Sequence, residues 1–281
     1  MPKWPVILVV LLFLSSCRQG GERTDALQTK SRPSAGPNIV TFAATEYAFH
    51  GPEQIPAGLT TIRQQNRGKE IHWMEIFRLA PRKTVADFLA AITASESEFQ
   101  PPHSWTTAMG GPGWIGPGET SNVTAYFEPG DYVLICRFPT MDGVSHLKKG
   151  MVHELKVGAA ARSPTAAELQ ADIAITVSDT AFTLQVPISA GTHTVRVMNA
   201  GSYRHELYIF QLAPGKSIED YWTWEREGLT GSGRPGRPWG GVAPFEPGTH
   251  VWFKTTFDAG EYVFGDESGE GRNVFRQITV R

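Results

Sequence analysis

The sequence is poor in charge and in cysteine. Of its 281 residues, 19% are charged, two are cysteine, and the formal net charge is −2. This balance gives no electrostatic case for binding nucleic acid, and neither a long basic run nor a recognised nucleic-acid motif adds one. We therefore expect no nucleic-acid partner.

Near the N-terminus the hydrophobic run is too short to cross a bilayer. Val6 to Leu14, VILVVLLFL, follows Lys3 and has nine residues. A short apolar segment behind a positive residue is typical of a signal peptide. The next residues complete Leu14 to Cys17, LSSC, which resembles a bacterial lipobox, in which the cysteine is lipidated. We expect a lipoprotein signal peptide at residues 1–16 and lipidation of Cys17.

The residues after this cysteine predict where the protein is attached. Residues 17–37 are polar, contain Pro, Gly and Ser, and show no periodicity, which is typical of a flexible tether. Arg18 stands where an Asp would mark retention in the inner membrane of bacterial lipoproteins. By this resemblance we expect a protein of the bacterial cell envelope, held to a membrane by a lipid anchor and periplasmic or attached to the outer membrane.

The scarcity of cysteine leaves one thiol to explain. If Cys17 carries lipid, Cys136 has no partner for an intramolecular disulfide. An unpaired cysteine in an oxidising compartment needs a chemical reason. Metal ligation supplies one, because it also protects the thiolate.

Glycine and proline are abundant, and an internal repeat organises the chain. The sequence has 29 Gly and 20 Pro, which favours many short strands over long helices. Asn66 to His72, NRGKEIH, matches Asn199 to His205, NAGSYRH, at an offset of 133 residues. Gly130 to Val133, GDYV, matches Gly260 to Val263, GEYV, at an offset of 130. Ordered matches of this kind indicate two copies of one domain.

Each copy has the pattern of a β-sandwich. Short alternating or β-branched runs are separated by turn signals, and one helix is predicted to start at Thr84 in the first copy and at Ser217 in the second. The sequence therefore predicts an all-β protein of two tandem Greek-key β-sandwich domains, each with a short helical excursion. The predicted boundaries are 38–158 for the first domain, 159–170 for a linker, and 171–281 for the second domain.

Four residues of the first copy carry metal-binding chemistry. Cys136, His146 and Met151 lie within sixteen residues, at the end of a predicted strand and in the loop after it, and His72 lies in an earlier strand-like run. Thiolate and thioether are soft ligands that suit Cu(I), and imidazole accommodates both oxidation states. Two histidines, one cysteine and a weak methionine are the ligands of a type 1 copper centre. Met141 on the same loop is an alternative for the methionine.

The second copy lacks this set. At an offset of 130 residues Cys136 falls on Asp266, and no Cys or Met follows Met198. His205 alone is retained from the set. The second domain therefore cannot build the same site, and the ligand residues are not needed for folding.

These motifs resemble the cupredoxin family of blue copper domains. The resemblance rests on the histidine after an Asn-x-Gly turn, on the Gly-Asp-Tyr-x-x-x-Cys strand and on the loop Cys-x₉-His-x₄-Met. It implies a cupredoxin-like fold for both domains and one type 1 copper per chain. His72, Cys136 and His146 would be the equatorial ligands and Met151 the axial ligand.

The resemblance also implies a function. We expect a copper-binding electron-transfer protein that shuttles single electrons between redox protein partners. The alternatives are a copper carrier or sequestration protein and a structural sandwich protein with a vestigial site. We expect no enzymatic activity, because copper oxidases and nitrite reductases need further histidines, some of them beside the cysteine, whereas Ile135 and Arg137 flank Cys136.

Two features depart from the pattern or stay open. Trp73 follows the first ligand histidine, where blue copper proteins often have Asn, so support for the cysteine must come from elsewhere. Arg137 and Lys148-Lys149 put positive charge near the site, either to steer an acidic partner or as part of a solvated loop. The Trp-rich segment from Trp222 to Trp239 either packs within the protein or forms a partner surface.

Overall fold

The computed structural model describes residues 1, 36–94, 104–159, 169–229, 233–268 and 273–281. The lipidation site Cys17, nearly all of the predicted signal peptide and tether, and residues 160–168 of the linker lie outside the described residues. Residues Ala35–Arg281 form one compact unit. Among the described helices, none has the length and apolar character needed to span a membrane.

The described residues form eighteen strands and two helices. In chain order they are β1 (Asn38–Thr45), β2 (Ala48–His50), β3 (Gln54–Pro56), β4 (Gly58–Asn66), β5 (Glu75–Leu79), α1 (Val85–Ala94), β6 (Thr106–Ala108), β7 (Pro112–Trp114), β8 (Thr120–Phe127), β9 (Gly130–Ile135), β10 (Val152–Gly158), β11 (Ile173–Ser178), β12 (Ala181–Leu184), β13 (Gly191–Asn199), β14 (His205–Leu212), α2 (Ile218–Arg226), β15 (Gly236–Phe245), β16 (His250–Phe257), β17 (Gly260–Asp266) and β18 (Val274–Val280).

Three sheets build the two sandwiches. One eight-stranded sheet has the order β12-β11-β13-β16-β8-β4-β1-β2, so it runs through both halves of the chain. A five-stranded sheet, β3-β10-β9-β5-β6, belongs to the first half, and another, β18-β17-β14-β15-β7, belongs to the second half except for β7. The fold is all-β, as the sequence predicts, with two tandem β-sandwiches. The pairing of β16 with β8 and of β15 with β7 joins the halves by backbone hydrogen bonds.

Side-chain alternation decides which residues at the end of β9 enter the main core. Leu134 and Cys136 belong to the main core between the sheets, whereas Val133 and Ile135 belong to a second apolar cluster. Phe88 of α1 packs in that second cluster. Successive side chains of a strand point to opposite faces, so the helix covers the outer face of this sheet while the cysteine enters the core.

Both helices start where the sequence predicts. Thr84 precedes α1, and its hydroxyl accepts a hydrogen bond from the Asp87 amide at 3.1 Å while the Asp87 carboxylate accepts one from the Thr84 amide at 2.9 Å. Ser217 and Asp220 form the same capping box at the start of α2. These reciprocal bonds satisfy amide groups that have no partner inside the helix.

The strand-like run that contains His72 forms a strand only from Glu75 onward. His72 precedes it and forms an isolated antiparallel bridge with Ile115. The chain leaves the eight-stranded sheet at the Asn66 turn and enters the five-stranded sheet of the first half only at Glu75. His72 therefore lies in the bridge to Ile115, three residues before the start of β5.

Candidate metal centre

His72 is fixed by the backbone around it. Its amide donates to the Ile115 carbonyl at 3.1 Å, and its carbonyl accepts from the Ile115 amide at 3.0 Å. The Asn66 side chain closes the preceding turn by donating to the Glu70 and Ile115 carbonyls at 2.7 and 3.1 Å and accepting from the Gly68 amide at 2.9 Å. A Cβ on Gly68 would lie 2.9 Å from His72 Nε2, so this close approach needs glycine. The imidazole is fully buried.

The segment from residue 137 to residue 151, here termed the ligand loop, folds back onto the end of β9. The Cys136 amide donates to the Met151 carbonyl at 3.3 Å, and the Met151 amide donates to the His146 carbonyl at 2.9 Å. The His146 amide in turn donates to the Phe138 carbonyl at 2.9 Å. These bonds close the loop, so ten residues of separation in sequence become direct contact in space.

Three of the four predicted ligands converge. His146 Nδ1 lies 3.4 Å from Cys136 Sγ and 3.1 Å from His72 Nδ1. Among the described residues, these three are the only group of three or more His, Cys, Asp or Glu whose ligand atoms lie close enough together to hold a metal ion, within 4.8 Å of one another. All three side chains are fully buried. The site is thus already assembled and closed to solvent.

Met151 lies at the same place in the core. Its side chain is fully buried, and its backbone bonds both to Cys136 and to His146. Met141, the alternative on the ligand loop, is 74% exposed. Burial therefore favours Met151 for the axial position, which remains a prediction.

Burial sets the protonation of the three converging groups. It raises the pKa of the Cys136 thiol to about 12, against the opposing effect of the Trp73 and Phe138 backbone amides. It also lowers the pKa of His72 to about 4, helped by the neighbouring His146. Burial lowers the pKa of His146 as well, and its contact with Glu70 only partly offsets this. Both imidazoles are therefore neutral near pH 7, as metal ligation requires, and the thiol must release a proton when metal binds.

Glu70 orients one of the two imidazoles. His146 Nε2 donates to the Glu70 carboxylate at 2.7 Å. A hydrogen bond at Nε2 fixes the tautomer and leaves the Nδ1 lone pair directed at Cys136 and His72. Glu70 was not predicted from the sequence. Its only signal is its position between the Asn-x-Gly turn and His72, two residues before the histidine.

Support for the cysteine comes from backbone groups. The amide of Trp73 hydrogen-bonds to Cys136 and lowers the pKa of its thiol, so it stabilises the thiolate whatever side chain this residue carries. The Trp73 ring is used elsewhere and packs against Trp114, with ring centroids 5.5 Å apart. The presence of Trp73 in place of Asn therefore leaves the backbone hydrogen bond to Cys136 intact.

The positive charges near the centre are largely paired. Arg137 is buried, and its guanidinium donates from Nε to Glu75 Oε1 at 2.7 Å and from a second nitrogen to the other carboxylate oxygen. Lys149 lies 3.0 Å from Asp142. A buried bidentate pair is a structural element, so Arg137 does not steer a partner.

The equivalent position in the second half holds an ion pair. His205 Nδ1 contacts the Asp266 carboxylate, and His205 Nε2 lies 2.9 Å from Asp179 Oδ1. Asp266 occupies the position of the cysteine, as the repeat offset predicts. Both nitrogens of this imidazole are occupied by carboxylates of the protein.

The donor set fits copper. Two neutral imidazoles and one thiol converge, and no carboxylate oxygen joins the three converging atoms. Hard cations such as Ca²⁺ and Mg²⁺ prefer oxygen ligands, whereas imidazole with thiolate suits copper. The buried His72 Nε2 has no hydrogen-bond partner, which leaves it free to carry the N–H proton when Nδ1 binds a metal.

Comparison with known proteins gives structural likeness only. No family model and no curated protein matches the chain. Auracyanin from Roseiflexus castenholzii is 22% identical over 44% of this chain and 98% of its own, with a TM-score of 0.29. Auracyanin A from Chloroflexus aurantiacus, described as a "blue" copper protein, is 23% identical over 44% of this chain and 100% of its own, with a TM-score of 0.31. A blue copper oxidase from Nitrosomonas europaea is 14% identical over 87% of this chain and 86% of its own, with a TM-score of 0.25.

Proposed function

We propose that this chain is a copper-binding electron-transfer protein with one type 1 copper per chain. His72, Cys136 and His146 would hold the metal, with Met151 as the axial ligand. The observation that carries the proposal is the convergence of two imidazole Nδ1 atoms and one thiol sulfur in a fully buried site. Bound copper would supply a one-electron couple.

The protein supplies a rigid and closed setting. The backbone bridge at His72 and the closed ligand loop fix three ligands before metal arrives. A site that moves little when its charge changes has a small reorganisation cost, which favours fast electron transfer. All three side chains are fully buried, which restricts the access of a substrate. We therefore propose an electron carrier and not an enzyme, with redox proteins as its partners.

The location is proposed on the sequence alone. Lipidation at Cys17 would tether the domains to a membrane of the bacterial cell envelope, and residues 17–37 would give them reach toward partners. Labelling of the expressed protein with a radioactive fatty acid tests this, and the Cys17→Ser variant is its control. Label that persists in Cys17→Ser contradicts the assignment.

Spectroscopy of the purified protein with added Cu(II) tests the function. An intense thiolate-to-copper absorption band and a narrow copper hyperfine splitting in EPR are expected. Both should be absent from Cys136→Ser, whose hydroxyl preserves the shape of the side chain. Retention of the band in that variant contradicts the ligand assignment.

Two further measurements separate the alternatives. A rapid and reversible voltammetric wave supports electron transfer, whereas a sluggish couple with ready copper transfer to a metal-free acceptor assigns the protein as a copper carrier. Failure to bind copper tightly assigns a structural protein. Consumption of dioxygen or nitrite by the copper-loaded protein would contradict the absence of enzymatic activity.

A further inference from the structure

A continuous series of aromatic rings leads from the metal centre into the second half. The ring centroids of Trp73 and Trp114 are 5.5 Å apart, and those of Trp114 and Tyr208 are 4.8 Å apart with their planes only 11° from parallel. Tyr208 and Tyr221 follow at 6.0 Å, and Tyr221 and Trp224 at 6.0 Å. These five residues are termed the ring chain below.

The first half contributes the beginning of the ring chain, next to the metal ligands. Trp73 directly follows His72, and its amide hydrogen-bonds to Cys136. Trp114 also contacts Phe138 of the ligand loop, with centroids 5.3 Å apart. Trp114 is therefore reached from His72 through the neighbouring Trp73 and from Cys136 through Phe138, two residues further along the chain.

The crossing between the halves occurs at β7. This strand belongs to the first half of the sequence but pairs with β15 of the second half. That pairing places Trp114 in a stack on Tyr208 of β14. The pairing of β7 with β15 thus brings the oxidisable rings of Trp114 and Tyr208 into contact where the two sandwiches meet.

The hydroxyl of Tyr208 is hydrogen-bonded to a proton acceptor, the carboxylate of Glu267. Its ring is buried, and its hydroxyl donates to Glu267 Oε1 at 2.8 Å. Burial raises the pKa of Glu267 to about 7 despite this hydrogen bond, so the carboxyl is a stronger base than an ordinary glutamate. Oxidation of a phenol releases its proton, and a bonded base lowers the barrier for that release. Apolar packing alone does not require this pair.

The far end of the ring chain reaches helix α2. Trp224 lies in α2, and Tyr221 of the same helix contacts Phe275 at 6.3 Å. Phe275 contacts Trp222 at 6.0 Å, and Trp222 is only partly buried. The first part of the Trp-rich segment therefore packs within the protein, and Trp222, which lies beyond the buried end of the ring chain at Trp224, is partly exposed.

We propose that the ring chain is an electron path between the metal centre and a redox protein bound at α2, with Tyr208 as its oxidisable relay. The proposal rests on the proposed function. In one transfer the centre loses one electron and the partner gains one, and no bond is formed or broken overall. When Tyr208 is transiently oxidised, its phenolic proton moves to the Glu267 carboxylate and returns when the electron is replaced.

Laser photolysis with an attached oxidant tests the path. In the full chain with Cys17→Ser, the exposed Thr223 is replaced by Cys and carries a ruthenium polypyridyl complex, because Cys136 is buried. A flash with an electron-accepting quencher generates Ru(III), which takes one electron. We expect fast oxidation of the reduced metal centre in this protein and loss of that fast phase in Tyr208→Phe and in Trp114→Phe. Both variants keep an aromatic ring but are much harder to oxidise.

A matched control and a metal-free measurement complete the test. Tyr262 is also a fully buried tyrosine of the second half, but it lies outside the ring chain, so Tyr262→Phe should keep the fast phase. In metal-free protein the flash should produce a tyrosyl radical signal in EPR that Tyr208→Phe abolishes and Tyr262→Phe retains. Equal kinetics and equal radical signals in the two variants overturn the ring chain. Absence of a type 1 spectrum before any flash overturns the proposed function instead.

Discussion

The two halves of the molecule share one framework and differ in the chemistry at its end. Asn199 repeats the role of Asn66, since its side chain donates to the Tyr203 and Phe245 carbonyls at 2.8 and 2.9 Å and accepts from the Gly201 amide at 2.9 Å. The turn before the histidine is therefore the same in both copies. Whatever distinguishes the halves must come from the side chains that surround that histidine.

One position sets the surroundings of the histidine. Cys136 lies beside His146 and His72 in the first half, whereas Asp266 contacts His205 in the second. Burial disfavours a charged His205, but its hydrogen bonds to the two carboxylates outweigh this and raise its pKa. The second half thus has an internal ion pair where the first half brings a thiol and two imidazoles together.

A second pair of equivalent positions, three residues after the histidine and one residue after Cys136 or Asp266, also differs between the halves. Glu75 and Arg137 form a buried bidentate ion pair in the first half. At the repeat offsets their positions are occupied by Tyr208 and Glu267, which share one hydrogen bond. The same pair of strands therefore supports structure in one copy and an oxidisable group in the other. The two copies therefore share one backbone arrangement and differ in the side chains at a few positions.

Placing the residue of the second half into the first should have the largest effect. We expect Cys136→Asp to lose the thiolate-to-copper band completely and to weaken copper binding by more than about 100-fold, since losing a ligand outweighs the 10–100-fold typical of outer-shell changes. The carboxylate would contact the buried histidines in the manner of Asp266. Optical titration with Cu(II) measures the affinity. A type 1 spectrum in this variant contradicts the difference drawn between the two halves. Asp266→Ala is the control, and it should keep the full thiolate-to-copper band.

Breaking the buried ion pair should have the next largest effect. Glu75→Gln leaves Arg137 charged in the core, so we expect a loss of about 3–5 kcal/mol in the free energy of unfolding. Urea unfolding of the metal-free protein measures it. Arg78→Gln is the matched control, because its contact with Glu128 is partly exposed and should contribute less than about 1 kcal/mol. Equal losses in the two variants contradict this difference.

The ion pair of the second half should appear as a pH dependence. A pKa of His205 above its unfolded value of about 6.5 stabilises the fold fully below pH 6.5, and this stabilisation is lost as the pH rises through the folded pKa. Asp266→Asn removes the charge, so we expect a loss of about 1.5–3 kcal/mol at pH 6 and a smaller loss at higher pH. Urea unfolding across this pH range tests the sign. A loss that grows with pH contradicts it.

Much of this comparison was accessible from the sequence, and the reasons for the rest are physical. The repeat offsets placed Asp266 opposite Cys136, and capping residues placed both helix starts. The roles of Glu70 and Glu75 were not predicted, because a single carboxylate has no spacing signal and its partner is fixed only by the fold. The exchange of β7 between the halves was also missed, since a three-residue strand carries too little pattern to show which sheet it joins.

The smallest expected effect is that of Glu267→Gln, which should raise the free energy of unfolding where Glu75→Gln lowers it. Burial, opposed by the hydrogen bond from Tyr208, raises the pKa of Glu267 to about 7. The fold therefore loses stability as the pH rises from about 4.5 to about 7, because over this range the unfolded state releases the carboxyl proton while the folded state retains it. Glu267→Gln retains an acceptor for the phenol without this cost, so we expect it to be more stable than the natural protein by about 1–2 kcal/mol at pH 8 and equal to it at pH 4.5. Urea unfolding at both pH values measures the difference, with the partly exposed Glu261→Gln as control. A destabilised Glu267→Gln at pH 8 would show that ionised Glu267 supports the second half as Glu75 supports the first.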